Sequence, residues 1–151
     1  LLTGLSTDQN RDRLHWIMSR FTGYVGVLNY MGARFTASDE SLRPILGELR
    51  DRGLIYLDDG TSPRSIAGQI SNEVGLPFAQ ANIVIDAVPS QKEIESQLAR
   101  LVEIAKLRGI AIGVGSGLPI TIQAIDEWAD QLKNEGVTLV PASVVVSGGQ
   151  T

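Results

Sequence analysis

Arg52-Gly53-Leu54-Ile55-Tyr56-Leu57-Asp58-Asp59-Gly60-Thr61-Ser62-Pro63-Arg64-Ser65 is the stretch that decides the fold. A glycine stop leads into four apolar residues in unbroken succession, then an acidic pair, a glycine and a cluster of turn formers. A half-solvated strand alternates polar and apolar side chains. An uninterrupted run of strand length bounded by turn signals is instead the pattern of a parallel strand covered on both faces. Similar runs stand on either side: Tyr24–Leu28 before it, and Asn82–Ile85, Ile110–Val114 and Thr138–Val140 after it. They begin at 24, 54, 82, 110 and 138, so the steps are 30, 28, 28 and 28 residues. That is the length of one strand, one helix and two connections. The expected class is therefore α/β, built of repeating βα units with parallel strands.

Helical punctuation fills the intervals. Ser6-Thr7-Asp8-Gln9 fits a capping box, and Leu14, Ile17, Met18 and Phe21 follow at helical spacing before Gly23. Leu42, Ile45, Leu46 and Leu49 form a stripe stopped by Gly53. Ile66, Ile70 and Val74 form another, stopped by Gly75 with Pro77 beyond. Ser90-Gln91-Lys92-Glu93 reads as a second capping box, opening a helix with Ile94, Leu98, Leu101 and Ala105 inward and Gly109 at its end. In the last helix Ile122, Ile125, Trp128 and Leu132 are expected inside, with Gly136 as the stop.

Both an open doubly wound sheet and a (β/α) barrel have this rhythm. Five strands are too few to close a barrel, and the chain opens on a helix. The reading therefore favours the C-terminal part of a (β/α) barrel over a small complete open sheet, with residues 1–151 as a single α/β domain whose earlier strands lie upstream. Composition narrows the partners. With 13 Lys plus Arg against 17 Asp plus Glu the net charge is −4, and no basic patch stands out, which argues against nucleic acid. Apolar runs are of strand length, so no membrane-spanning segment is expected. The absence of cysteine excludes thiolate metal sites and thiol nucleophiles, and the single histidine excludes a two-histidine metal site. His15 itself lies between Leu14 and Trp16 on the first helix, where a surface or interhelical role is expected.

In either architecture the functional site forms beyond the carboxyl ends of the strands. Asn29, Tyr30 and Arg34 follow the first run; Asp58, Asp59 and Arg64 the second; Asp86 the third; and Gly115-Ser116-Gly117 the fourth. Carboxylates on adjacent strand ends can raise one another's pKa or bind a hard metal, which makes Asp58, Asp59 and Asp86 the candidates for acid–base work or hard-metal binding, Asp58 first among them. Asp58, next to the apolar run, is expected to point inward, and Asp59 to stay solvated in the turn; Arg34 or Arg64 beside Asp58 would keep it ionised. The plainer alternative is that these residues cap and turn, with Asp58 binding the N–H of Gly60 or Thr61. Gly113-Val114-Gly115-Ser116-Gly117 could cradle an anion, although it lacks dinucleotide-binding spacing and reads better as a tight turn.

Taken in order, these segments resemble the divergent polysaccharide deacetylase family, a branch of the carbohydrate deacetylase superfamily with a distorted (β/α) barrel. The stretches that carry the resemblance are Gly23–Thr36, Arg52–Ser65, Gly75–Phe78, Gly113–Pro119 ahead of a helix bearing Trp128, and Gly136–Ser143. The resemblance implies hydrolysis of the amide C–N bond of N-acetylated glycans by a divalent metal, such as zinc, held by Asp and His on earlier strands. It further implies a glycan ligand and a periplasmic or cell-envelope setting. Within this chain it implies no metal ligand: Tyr30 and Ser116 stand where many relatives carry an imidazole. Asn29, Tyr30, Arg34, Asp59, Arg64 and Ser116 are then the expected glycan contacts. A catalytically silent glycan-binding or envelope-associated module is the alternative.

Overall fold

A computed structural model describes residues 1–148, in two compact units: Leu1–Gln80 with the chain end from Val146, and Ala81–Val145. In the first unit the elements are α1 (Thr7–Met18), β1 (Gly26–Leu28), α2 (Ala33–Thr36), α3 (Asp39–Asp51), β2 (Ile55–Asp58), α4 (Ala67–Val74) and β3 (Phe78–Gln80). The second holds β4 (Ile83–Val84), α5 (Gln91–Arg108), β5 (Gly113–Val114), α6 (Pro119–Gln131) and a 3₁₀ turn (Leu132–Asn134). The final helix, α7 (Ala142–Gly148), runs across the boundary. The class is mixed α/β with parallel strands, as the repeat requires.

In the first unit the strands pair in the order β1-β2-β3, all parallel, with Gly26 opposite Ile55 and Tyr56 opposite Phe78. β2 is central: its Tyr56 shares one core with Leu42, Leu46 and Leu49 of α3 and Ile70 of α4, and its Ile55 is buried as well. The α3 stripe is the one the sequence indicates. α4 ends where expected, with Gly75 at φ 72°, a left-handed value that a Cβ would oppose. Gly26 has a different reason. A Cβ there would collide with the Ile55 side chain and lie 2.6 Å from the Ile55 carbonyl oxygen, so only glycine lets β1 approach β2.

The first helix departs from its expected face. Its capping box is formed, with Ser6 Oγ accepting from Gln9 N–H at 3.2 Å and Gln9 Oε1 accepting from Ser6 N–H at 3.1 Å. The inward row, however, is Asn10, Leu14 and Met18 at steps of four, which leaves Ile17 and Phe21 exposed. Asn10 earns no penalty for burial, since its amide both accepts from Leu2 N–H and donates to the Leu2 carbonyl, each at 2.9 Å. The helix stops at Ser19, short of Gly23.

β3 replaces the expected neighbour of β2. Phe78–Gln80, directly after Pro77, pairs with β2, and the chain then breaks at Ala81-Asn82 before β4 pairs with β5, Ile83 opposite Gly113. The run expected as one strand from Asn82 is thus divided from a partner strand that the Gly75 and Pro77 stop signals concealed. In the second unit Ile85, Ile94, Leu98 and Ala124 form the core, edged by Ile125 and Trp128. Ser90 sits at the N-cap of α5 but makes no side-chain capping bond. α6 turns Thr121 and Ala124 inward and leaves Ile122 exposed. Thr138–Val140 belongs to no strand among the described residues; Leu139 and Val140 are exposed, and an apolar run with no ladder partner does not become a strand by propensity alone. The described residues thus form a three-stranded and a two-stranded parallel sheet, with no closed barrel among them.

Candidate functional site at the strand ends

In the first unit the ends of β1 and β2 meet through side chains. Register places Leu28 opposite Leu57, so Asn29 arrives beside Asp58 and Asp59. Asn29 Oδ1 accepts from the Tyr56 hydroxyl and from Asp59 N–H, both at 3.1 Å, and Asn29 Nδ2 donates to the Met31 carbonyl at 3.2 Å. Asp58 is 1% exposed. Its Oδ1 accepts from Gly60 N–H at 2.8 Å and its Oδ2 accepts from the Ser65 hydroxyl at 2.5 Å. The cap on Gly60 is therefore present. Asp59, expected in solvent, is 7% exposed: Oδ1 accepts from the N–H and hydroxyl of Thr61 at 2.9 and 2.7 Å, and Oδ2 from Met31 N–H at 3.1 Å. Burial pushes its pKa up, but the bonds from Thr61, Met31 and Asn29 outweigh that and hold it below the ordinary carboxylate value.

Around this network stand the exposed groups. Tyr30 is 81% exposed, and Arg34 and Arg64 are exposed as well. Neither arginine forms an ion pair with Asp58 among the described residues; the donors that satisfy Asp58 are an amide and a hydroxyl. Tyr56 is the network's internal support. It stacks on Phe78 with ring centroids 6.2 Å apart, and burial, then the charges of Asp58 and Asp59, push its phenol far above the usual range. The sequence reading missed Tyr56, the Ser65 hydroxyl and the Met31 backbone, and it offered Thr61 to Asp58 where the structure gives it to Asp59. A tyrosine inside an otherwise aliphatic strand run, two residues before an acidic pair, is the signal that could have found the first.

The second unit has its own strand-end pair. Asp86, 8% exposed, follows β4, and its Oδ2 accepts from Ser116 N–H at 2.7 Å and from the Thr121 hydroxyl at 2.8 Å. Burial raises its pKa, and these bonds from Ser116 and Thr121 more than offset the effect, leaving it lowered. The turn after β5 therefore directs an amide at a carboxylate of its own chain, and a negative group already sits where an anion cradle would need positive potential. α6 begins only at Pro119. A tight strand-to-helix turn is the reading this geometry supports.

His15 lies elsewhere, exposed on α1, with Nε2 2.9 Å from Oε1 of Glu48 on α3. Arg52 also donates to that oxygen at 2.8 Å, and bonds from Arg52 and His15 hold the Glu48 carboxyl below the ordinary value. The histidine is interhelical, as its position suggests. No cluster of three or more His, Asp or Glu suited to a metal occurs among the described residues, and the strand-end carboxylates already accept protein hydrogen bonds. These residues do not fit a divalent metal centre.

Parallel strands whose carboxyl ends carry buried acidic and amide groups define a mixed α/β protein with its polar groups gathered at the strand ends. More narrowly, the chain belongs to the divergent polysaccharide deacetylase family, which matches residues 1–146. It is 27% identical over 122 residues to an uncharacterized protein of Haemophilus influenzae (strain Rd), covering 81% of this chain and 44% of that protein. It is 24% identical over 126 residues to the uncharacterized protein YibQ of Escherichia coli K12, covering 83% and 39%. The crystal structure of an uncharacterized protein from Agrobacterium tumefaciens C58 superimposes with a TM-score of 0.94 at 36% identity, covering 96% of this chain and 59% of that one. The chain thus spans less than half the length of the curated relatives it matches. No helix among the described residues is long and apolar enough to cross a membrane.

Proposed function

We propose that this chain is the glycan-recognising C-terminal part of a deacetylase-type distorted (β/α) barrel, acting on N-acetylated glycans in the bacterial periplasm or cell envelope. The observation that supports this is the exposed set Tyr30, Arg34 and Arg64 mounted on a saturated polar network. A glycan is bound by neutral hydrogen bonds and stacking, and it needs a surface that does not rearrange. In this reading Asp58 and Asp59 keep the strand ends of the first unit in shape, and Asp86 does the same within the second. Hydrolysis of the amide C–N bond would draw its divalent metal, zinc by family analogy, from ligands outside residues 1–148. A silent glycan-binding module is the second reading, favoured by the absence of any imidazole at either set of strand ends.

Two assays on the full-length protein separate these outcomes. Calorimetric titration with tetra-N-acetylchitotetraose is expected to show binding whether or not EDTA is present, because the groups proposed to grip the sugar hold no metal. Acetate release then distinguishes a live deacetylase from a silent module. Absence of any binding heat, or binding abolished by EDTA, would contradict the recognition role.

A further inference from the structure

We propose that Tyr30 is the sugar-stacking residue of the β1 end and that Asn29 and Asp59 are positioning residues that fix it there; the proposal rests on the glycan reading above. The starting point is Met31. It is the one non-glycine residue with positive φ among the described residues, at 58°. An unbranched side chain tolerates that region only at some cost, and such conformations persist where the surroundings over-determine them.

Here both polar groups of Met31 are held. Its N–H donates to Asp59 Oδ2 at 3.1 Å, and its carbonyl accepts from Asn29 Nδ2 at 3.2 Å. Asn29 is itself fixed by the Tyr56 hydroxyl and by Asp59 N–H. Gly32 follows at φ 83° and opens α2, its carbonyl accepting from Phe35 and Thr36 N–H at 2.8 and 3.0 Å. Residues 31 and 32 therefore form a rigid left-handed corner. Tyr30 precedes the corner directly, flanked by Asn29 and Met31, and the residue is 81% exposed instead of folding onto the core.

An aromatic ring presented on a fixed corner has a definite chemical use. The axial C–H face of a pyranose is apolar and lies flat on a π face, while a phenol can exchange hydrogen bonds with ring hydroxyls or an N-acetyl carbonyl. Little side-chain freedom is lost on binding, since Tyr has two χ angles and the backbone is already immobile. The ligand class is a neutral N-acetylhexosamine oligosaccharide.

The test is calorimetry of the full-length protein with tetra-N-acetylchitotetraose. Tyr30→Ala is expected to weaken binding by about tenfold, with an unchanged melting temperature because the ring is exposed, and Tyr30→Phe to restore it to within about threefold. Met31→Val, which resists positive φ, should weaken binding although the corner itself is not the sugar contact; Met31→Gly, which adopts it freely, should rescue that loss. If the wild-type protein binds and Tyr30→Ala binds equally well, the stacking role is overturned. Equal binding by Met31→Val and Met31→Gly overturns the positioning role. A wild-type protein that gives no binding overturns the glycan reading itself.

Discussion

Asp59 and Asp86 show how a few ångströms decide what a carboxylate is for. Each lies at a strand end, where proton transfer is the attractive expectation, and each is instead held ionised by amide and hydroxyl donors. Their folded-state pKa values lie below the ordinary one, so the unfolded chain takes up protons first as the pH falls. Their stabilisation is fully present above the unfolded value near 4 and is lost as the pH drops through the folded values. Thr121→Val tests the sign. Removing a fully buried donor to Asp86 should lower stability by about 1–3 kcal/mol at pH 7, measured by urea unfolding, and the deficit should shrink as acid protonates the carboxyl. A deficit that stays constant down to pH 3 would show that the bond does not depend on the ionised form. For Asp86 this could not be read from residue type, because its donors Ser116 and Thr121 lie 30 and 35 positions along the chain.

At the level of the element, the parallel pairing of β1 with β2 and the buried stripe of α3 were legible because each rests on a local period. What escaped were features set by neighbours. β3 was hidden behind Pro77, which reads equally as a helix stop and as the start of an extended segment. Ile17 and Ile122 fit apolar stripes yet face solvent, while the polar Asn10 and Thr121 are buried with hydrogen-bond partners. Gly26 is the sharpest element-level test, since its Cβ would run into the Ile55 side chain and backbone. Gly26→Ala should destabilise the first unit by about 2–3 kcal/mol, the scale of an overpacked core site. Hydrogen exchange should show the loss at the β1 and β2 amides. An alanine variant with wild-type stability would mean that β1 does not approach β2 this closely.

For the molecule as a whole, the sequence supports the α/β class and the family, which rest on the repeat and on motifs spread along nearly the whole chain. The division into two units was not legible, because the 28-residue spacing passes through Ala81 without interruption. Asn29 and Asp58 follow paired strands as the repeat suggests, whereas Asp58 and Asp86, expected on adjacent strand ends, follow strands of separate sheets, and the partners of each depend on side chains that spacing does not specify. Asp58 carries the central claim, that these carboxylates hold the strand ends and neither transfer protons nor ligate metal. Its two oxygens serve Gly60 and Ser65, and asparagine can still accept from Gly60 while its amide faces the Ser65 hydroxyl, which is free to rotate. The most direct measurement is the affinity of full-length Asp58→Asn for tetra-N-acetylchitotetraose, with acetate release followed in parallel. Affinity and any wild-type turnover within about threefold are expected, since the change leaves shape and capping nearly intact. A loss of tenfold or more in either, at an unchanged melting temperature, would show that the charge of Asp58 acts on the ligand and would contradict the account.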